Sequence, residues 1–340
     1  MTETAADTAQ TTNSARYFIG FDLGGTKMQC TLFNDQLAPI HRRRKKTRNE
    51  LGVHASLDRI AVNVERVLED ANVPASSLTG IGIGCPGPVE WEKGVVRVAV
   101  NLGWENVHVG EFLEKRFGCP VSVLNDVDAG VYGEYIAGAA KGSRTCVGIF
   151  PGTGIGGGCV YDGQILRGKV LSCMEIGHIK LVSSPRQGAT GMTGTLETEA
   201  SRLSIAGELV KLAFRGEAPN LLKAAGTDLS EVRSKVIAEA IRSGDKQVQR
   251  VVEEACEVIG FAVANIVLLI CPDTVILGGG LVEAMPELFL KEVSKTAKRH
   301  VFDCYRREFE IKCAQLGDDA AALGAAAWIA KQVANTPLRK

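Results

Sequence analysis

The sequence predicts an α/β fold in which a doubly wound sheet is repeated in two related halves. Two turns rich in glycine and threonine, residues 20–27 and 152–158, each lie between two apolar runs typical of strands. Strand-like and helix-like segments also alternate along the chain, which indicates parallel pairing. Because the two turns lie about one domain apart, we expect the same hairpin in each half.

The bulk composition is typical of a soluble globular protein. The chain has 340 residues, of which 45% are hydrophobic and 23% charged, enough for two domains. Lys plus Arg and Asp plus Glu both number 39, so no net charge favours nucleic acid or a membrane. The cysteines form no C-x-x-C pair, and neither a signal sequence nor a membrane-spanning run is visible. We expect a cytoplasmic protein with free thiols.

The first half is predicted from periodicity and turn signals. Residues 1–15 are polar and predict a disordered tail. Ile60, Val64 and Val67 fall on one face of a helix over 56–72, with Ser56 as its N-cap. The other predicted elements are a strand pair over 17–34, an extended stretch near 37–47, a strand over 78–84, a helix over 109–117, a strand over 121–124 and a helical run over 127–140.

The second half repeats this scheme. It begins with a hairpin over 146–161 and continues through a loop-rich segment, 162–195. An apolar helix over 247–270 is expected to be buried, and a strand over 274–277 runs into Gly278-Gly279-Gly280. A helix over 318–334 closes the chain. No low-complexity linker separates the halves, so we expect a hinge of packed elements near 124–130 and 316–322.

The basic run 41–46 has two interpretations. It is either a solvated edge strand, where positive charge discourages pairing with other chains, or a site for a polyanion. The edge strand is favoured.

The two glycine-rich turns are candidate phosphate sites. Their bare backbone N–H groups and hydroxyls suit an anion, and glycine lets a phosphate approach the main chain. Tight hairpin turns are the alternative interpretation. Gly278-Gly279-Gly280 either passes beneath a nucleotide base or forms a strand-to-helix turn.

Four side chains could carry chemistry. Asp126 follows a strand beside Asn125 and could take a proton from a hydroxyl, although a carboxylate there can also be an N-cap. Glu175 and His178 would face one side of a turn and could bind a polyol, or could simply decorate the surface. Asp22, beside the first glycine turn, could hold Mg²⁺ through water.

Together these motifs resemble the ROK family of sugar kinases and related repressors, within the actin-like ATPase superfamily. The resemblance runs from about Tyr17 to about Ala334. It rests on the order and spacing of Asp22–Lys27, Cys85–Val89, Asn101–Trp104, Leu124–Ala129, Gly152–Gly158, Glu175–His178 and Val275–Gly280.

The resemblance implies two actin-like (ribonuclease H-like) domains with a cleft between them. The small domain would comprise residues 16–125 plus 319–340, and the large domain residues 126–318. The implied reaction is ATP-dependent phosphorylation of a hexose at its 6-hydroxyl, with Mg²⁺ as cofactor. Glucose is the first choice of acceptor, with fructose, mannose or N-acetylmannosamine as alternatives and polyphosphate as the alternative donor. A homodimer is expected.

The resemblance also implies roles for particular residues. Asp126 would be the general base. The implied sugar ligands are Pro86, Gly87, Asn101, Asn125, Asp126, Glu175, His178 and Glu197. The implied nucleotide site comprises Asp22, Gly24, Gly25, Thr26, Lys27, Gly152, Thr153, Gly154, Gly278, Gly279 and Gly280.

One departure from the family concerns a structural zinc. The family usually holds it with the histidine of this motif and three cysteines in a C-x-C-G-x-x-G-C-x-E stretch. Here Gly188, Thr190 and Thr195 stand at the cysteine positions, and none of them can replace a thiolate on Zn²⁺. We therefore expect no zinc, with threonine hydroxyls as candidates for holding the loop and orienting His178.

Two other classes of function are alternatives to the enzyme. A sugar-responsive repressor would need a DNA-binding segment, and only sixteen residues precede Tyr17, too few for a helix-turn-helix unit. A structural actin-like protein or a sugar-binding pseudokinase would not need both Asp22 and Asp126. The sequence therefore favours the enzyme.

Overall fold

The structure is a computed structural model that describes residues 16–188 and 190–335. The expected tail of residues 1–15 lies outside the described residues. The first half contains β1 (Tyr17–Leu23), β2 (Lys27–Phe33), β3 (Pro39–Lys46), α1 (Val53–Asp70), β4 (Leu78–Cys85), β5 (Val89–Glu90), β6 (Val95–Ala99), β7 (Trp104–His108), α2 (Val109–Phe117) and β8 (Val121–Asn125). The remainder contains α3 (Asp126–Ala137), β9 (Thr145–Pro151), β10 (Ile155–Tyr161), β11 (Gln164–Ile165), α4 (Leu196–Ala200), α5 (Arg202–Phe214), α6 (Pro219–Ala225), α7 (Ser234–Arg242), α8 (Lys246–Ile270), β12 (Thr274–Leu277), α9 (Gly280–Ala284), α10 (Pro286–Arg299), β13 (Glu310–Cys313) and α11 (Ala320–Asn335).

Two five-stranded sheets of the same topology form the framework. Their strand orders are β3-β2-β1-β4-β8 and β11-β10-β9-β12-β13. Each sheet begins as an antiparallel meander of three strands and ends with two strands that extend it in parallel. The predicted repeat is therefore confirmed, and the two glycine-rich turns occupy equivalent β1–β2 and β9–β10 hairpins.

Two predicted element ends are wrong, and each has a local cause. Helix α1 begins at Val53, after Gly52 turns the chain with φ 87°. Ser56 therefore lies inside the first turn, 1% exposed, and is not the N-cap. Helix α3 ends at Ala137 rather than near 140. There the buried carboxylate of Glu134 accepts a hydrogen bond from Ala139 N at 2.7 Å, which satisfies a backbone group beyond the helix.

The basic run 41–46 forms most of β3, an edge strand of the first sheet, as the favoured interpretation predicted. Its side chains alternate between two faces. Arg43 forms an ion pair with Asp70 at the end of α1. Arg42 points the other way and bonds to Asp319 at 2.8 Å, just ahead of α11.

The longest helix, α8, packs mainly within the second half. Val252, Ile259 and Val263 are fully buried along one face, whereas Leu269 near its C-terminal end is 82% exposed. The prediction of a largely buried helix here is confirmed. Among the helices within residues 16–335, none combines the length and hydrophobicity that a membrane span requires.

The final helix, α11, lies directly on the first sheet because glycine removes the Cβ atoms from the contact. A Cβ added at Gly82 of β4 would lie 1.9 Å from the backbone oxygen of Ala325, and Gly20 of β1 makes the same close approach. On the other side, a Cβ at Gly324 of α11 would lie 1.8 Å from Ala129 O of α3. The helix thus holds the first sheet and the first helix of the second half in one packed layer.

We predict that Gly82→Ala lowers the free energy of unfolding by roughly 2–4 kcal/mol, because the new methyl group forces α11 off the sheet. The matched control is Gly130→Ala in α3, where an added Cβ meets nothing within 4 Å. That change should leave stability equal or raise it by up to about 1 kcal/mol. Urea denaturation measures both, and equal stabilities would contradict such close packing.

Candidate active site

The carboxyl ends of three neighbouring strands bring the candidate residues together. In the parallel register, Asp22 of β1 lies beside Gly84 of β4, and Gly84 lies beside Leu124 of β8. Ligands of open α/β sheets bind at this edge. Two strand spacings separate β1 from β8, about 10 Å, so Asp22 and Asp126 lie near one another at the same edge of the sheet.

Asn125, and not Asp126, caps helix α3. The Asn125 Oδ1 accepts hydrogen bonds from Val127 N at 2.9 Å and from Asp128 N at 3.2 Å. Its Nδ2 donates to Gly87 O at 3.1 Å, which ties the Pro86-Gly87 turn to the helix start. The alternative that Asp126 is merely an N-cap is therefore wrong. Its Oδ1 also accepts a hydrogen bond from Val127 N at 2.9 Å, whereas no hydrogen bond of its Oδ2 is seen among the described residues.

Two carboxyl groups at this edge hold their protons unusually well. Burial, and then the nearby charge of Asp22, raise the pKa of Asp126 to about 7, and Glu175 adds to the effect. Burial also raises the pKa of Asp22 to about 6, although Lys27 opposes the shift. A carboxylate whose pKa lies near neutrality is suited to general base catalysis.

The first glycine turn is held from the side by the residue that follows β3. Thr47 is fully buried, and its N–H donates to Thr26 O at 2.9 Å. Its hydroxyl donates to Gly24 O at 2.6 Å. The turn is therefore a braced loop. Thr47 carried no motif, and nothing in the sequence signalled this role.

Two neighbours of the first turn bear on the predicted ligands. A Cβ at Gly25 would lie 3.1 Å from Asn101 Cβ, so the predicted sugar ligand Asn101 adjoins the predicted phosphate loop. Lys27 forms an ion pair with Asp318 at 2.8 Å, and both side chains are at least half exposed. Lys27 is thus engaged across the chain with the segment that precedes α11.

The second glycine turn is anchored to the start of α5. Gly152 N donates to Gly154 O at 2.8 Å, and Arg202 N donates to Gly152 O at 2.9 Å. The Arg202 side chain also donates to the Thr153 hydroxyl at 2.9 Å. Arg202 was not predicted as a site residue, because a single arginine at a helix start belongs to no motif.

Gly278-Gly279-Gly280 packs against the strand that leads into the second turn. Gly279 has φ 82°, and a Cβ there would lie 2.9 Å from Pro151 O. A cavity of about 470 Å³ opens beside these elements. Its lining comprises Arg202, Ser230, Arg233, Ser234, Lys235, Val236, Gly280, Glu283 and Ala284. The cavity is thus lined by Gly280 of the late glycine turn and by Arg202, whose side chain contacts Thr153 of the second turn.

The Glu175–His178 segment adopts the predicted turn, a short 3₁₀ helix over Ile176–His178. It lies on the second hairpin, because a Cβ at Gly177 would be 2.1 Å from Ile155 O. Glu175 is exposed and His178 is half-buried. Since the charge of Glu175 acts on Asp126, this turn lies near the cleft.

Glu197 also holds the second hairpin. Its Oε2 accepts a hydrogen bond from Ile155 N at 2.8 Å, and a Cβ at Gly154 would lie 2.2 Å from that oxygen. One carboxylate oxygen is therefore engaged by the protein. Its role as a sugar ligand stays a prediction.

The loop that lacks the three cysteines is held by hydroxyls and two ion pairs. Thr195 and Thr198 form a reciprocal capping box at the start of α4. Arg186 bonds to Glu199 at 2.8 Å and to Glu208 at 3.2 Å. Among the described residues, no group of three or more His, Cys, Asp or Glu side chains could hold a metal ion. The absence of zinc stays a prediction.

A buried carboxyl group beside the site, that of Asp128, and the arginine near it, Arg167, were not predicted. Asp128 is 3% exposed, and its Oδ1 has no partner among the described residues. Burial raises the pKa of Asp128 to about 8, against the opposing charge of Arg167. The Arg167 guanidinium lies 4.9 Å from the Trp91 ring centre and 4.5 Å from that of Trp328. Only the packing of three distant segments creates this arrangement.

Comparison with known proteins agrees with this geometry. The family model described as "ROK family" matches residues 18–332. A glucokinase of Halalkalibacterium halodurans is 31% identical over 329 residues, which is 95% of this chain and 97% of the relative. The crystal structure of a ROK family glucokinase from Streptomyces griseus, in complex with glucose and AMPPNP, has a TM-score of 0.78 at 29% identity, covering 93% of this chain and 99% of that one.

A regulator shares the fold as well. The structure of a ROK family transcriptional regulator, a homolog of the E. coli MLC protein, has a TM-score of 0.82 at 24% identity. It covers 95% of this chain and 80% of the regulator. The predicted actin-like α/β fold is confirmed by these likenesses.

We predict that stability falls as the pH rises from about 4 to about 8, partly through Asp128. The folded state holds that proton up to about pH 8, whereas the unfolded chain releases it near pH 4. The unfolded state therefore binds fewer protons, and its free energy relative to the folded state falls with pH.

Asp128→Asn should make the free energy of unfolding less dependent on pH. Between pH 5 and pH 8 the variant should become more stable relative to the wild type by roughly 1–3 kcal/mol. Urea denaturation at both pH values measures the gain. Asp22 and Asp126 are shifted in the same direction, so part of the slope should persist. Parallel stability curves for the two proteins would contradict the prediction.

Proposed function

We propose that this chain, which belongs to the ROK family and is a sugar kinase of the hexokinase/glucokinase type, transfers the γ-phosphoryl group of ATP to the 6-hydroxyl of glucose. The observation that carries the proposal is Asp126, which lies at the carboxyl end of β8 with a pKa of about 7. It faces Asp22 and the first glycine turn across the edge of one sheet.

In this mechanism Asp126 accepts the proton of the sugar hydroxyl as that oxygen attacks the γ-phosphorus. Phosphoryl transfer depends mainly on positioning and charge stabilisation. The N–H groups of the two glycine turns bind the phosphates of the donor. The sugar is held by the side chains and turns around Asp126, which are Pro86, Gly87, Asn101, Asn125, Glu175, His178 and Glu197.

Mg²⁺ fits the site at Asp22. Burial is the main cause of the raised pKa of Asp22 and Asp126, and nearby carboxylates add to it, so a divalent cation beside them would favour their ionised forms. When bound, the ion would supply positive charge that stabilises the phosphates of the donor. Asp22 would hold it through water.

ATP is the proposed donor because the second half offers space for a nucleoside. The cavity of about 470 Å³ lies between Arg202 and Gly280, and pockets of this size hold small ligands. The Arg202 side chain already contacts Thr153 of the phosphate turn. A polyphosphate chain carries no nucleoside that could occupy this cavity.

Closure of two domains around the sugar completes the proposal. The domains would be residues 16–125 plus 319–340 and residues 126–318. Glu134 of α3 links the two expected hinge regions. Its Oε1 accepts hydrogen bonds from Gln315 N and Leu316 N at 2.8 Å each. Closure would exclude water from the phosphoryl group.

We predict that Asp126→Asn lowers kcat by roughly 10²–10⁴ while the dissociation constant for the sugar changes little. Because Asn125 caps α3, the variant should keep its fold, and thermal denaturation checks that. A coupled assay with ATP and a panel of hexoses measures turnover. Turnover near the wild-type rate would contradict the role of Asp126 as base.

We predict that Arg202→Gln raises the KM for ATP about tenfold with a smaller effect on kcat, the size expected for one charged hydrogen bond. Arg306→Gln is the control, because that arginine is exposed and bonds only near α10. If polyphosphate supported turnover better than ATP and Arg202→Gln changed neither donor, the nucleoside pocket would be wrong.

A further inference from the structure

A cavity between β3 and α1 carries much positive charge. Its volume is about 580 Å³, and six cationic side chains line it, namely Arg43, Lys45, Lys46, Arg48, Arg59 and Arg66. Asp58 is the carboxylate in that lining, and it already contacts His54 at 3.1 Å.

Four of the six cations have no carboxylate partner within residues 16–188 and 190–335. Lys45, Lys46 and Arg48 form no ion pair there, and Arg59 instead donates to backbone oxygens of Lys46 and Thr47 at 2.6 and 3.2 Å. Arg43 and Arg66 are paired with Asp70 and Glu69. Uncompensated like charges around one concave wall attract an anion.

The cavity wall also contains buried polar atoms without partners. Asn63 is 4% exposed, and neither its Nδ2 nor its Oδ1 forms a hydrogen bond among the described residues. The Arg43 Nε is buried and unpaired in the same way. A ligand that pairs these atoms would satisfy donors and acceptors that the fold leaves without partners.

We propose that this cavity binds a phosphate-bearing anion at a site separate from the catalytic cleft. Phosphate oxygens would accept from the unpaired Arg43 Nε–H, the Asn63 amide N–H groups and the free cations. The unpaired Asn63 Oδ1 calls for a donor, which a hydroxyl of the same ligand supplies. A phosphorylated sugar and a short polyphosphate chain share the phosphate chemistry, and the sugar phosphate adds the hydroxyls.

A bound anion would be connected to the first glycine turn indirectly, by way of two residues. Arg59 bonds to Thr47 O, and Thr47 in turn bonds to Gly24 and Thr26. The cavity therefore adjoins the back of the proposed phosphate loop without opening on Asp126. The proposal concerns binding, so it does not depend on the acceptor or donor proposed above.

Isothermal titration calorimetry in 0.15 M NaCl tests the proposal with tripolyphosphate, glucose 6-phosphate and orthophosphate as separate ligands. AMPPNP with Mg²⁺ is present throughout to occupy the catalytic donor site. Two variants probe the cavity: the exposed pair Lys45→Gln with Arg48→Gln, and Asn63→Leu, which removes both unpaired amide atoms. The control removes two exposed lysines of the second half, Lys223→Gln with Lys246→Gln.

We expect one cavity-dependent binding event, weakened at least tenfold by each cavity variant and unchanged in the control. Asn63→Leu should keep or raise the thermal midpoint, because it removes unpaired polar atoms. Tighter binding of glucose 6-phosphate than of tripolyphosphate would assign the Asn63 Oδ1 to a sugar hydroxyl, and the reverse order would assign a polyphosphate. No binding at 0.15 M NaCl, or equal loss in the control, would overturn the proposal.

Discussion

The contact between α11 and the first sheet is the constraint on which the rest of the structure depends. Backbone meets backbone there, because Gly20 and Gly82 carry no Cβ where α11 crosses β1 and β4. Gly324 and Gly133 make the same approach possible between α11 and α3. Since Asp126 begins α3, the glycine layer also sets where the proposed base lies relative to Asp22.

Acidic and basic side chains collect in two separate regions around the first sheet. The cleft gathers Asp22, Asp126 and Glu175. Burial is the main cause that raises the pKa of Asp22 and of Asp126, and the charge of Asp22 adds to it at Asp126. The back of the same lobe gathers cations along β3 and α1. Thr47 lies between the two regions and bonds to both, so the phosphate loop is braced between an acidic cleft and a basic cavity.

The loop without cysteines is expected to be held without a metal, by hydrogen bonds and ion pairs. Where the family usually places a thiolate, Thr195 exchanges hydrogen bonds with Thr198 and caps a helix. The ion pair of Arg186 with the mostly buried Glu199 adds a second anchor. A capping box stabilises by about 1 kcal/mol, far less than a structural zinc, so this loop is expected to open more readily.

Periodicity and turn chemistry are local properties, and they were enough to predict most helices, the repeat, the glycine turns and strands β1–β4, β8–β10 and β12. They did not predict β5, β6, β7, β11 or β13. The sequence also indicated Asp126, which follows a buried strand, and Asp22, which lies near the end of one beside a glycine turn. The folded structure was needed to show that Asn125 caps α3, that Thr47 and Arg202 brace the two turns, and that the charge of Arg167 acts on the buried Asp128. Those partners come from segments far apart in the chain, and their pairing depends on how closely the glycine layer lets the elements pack.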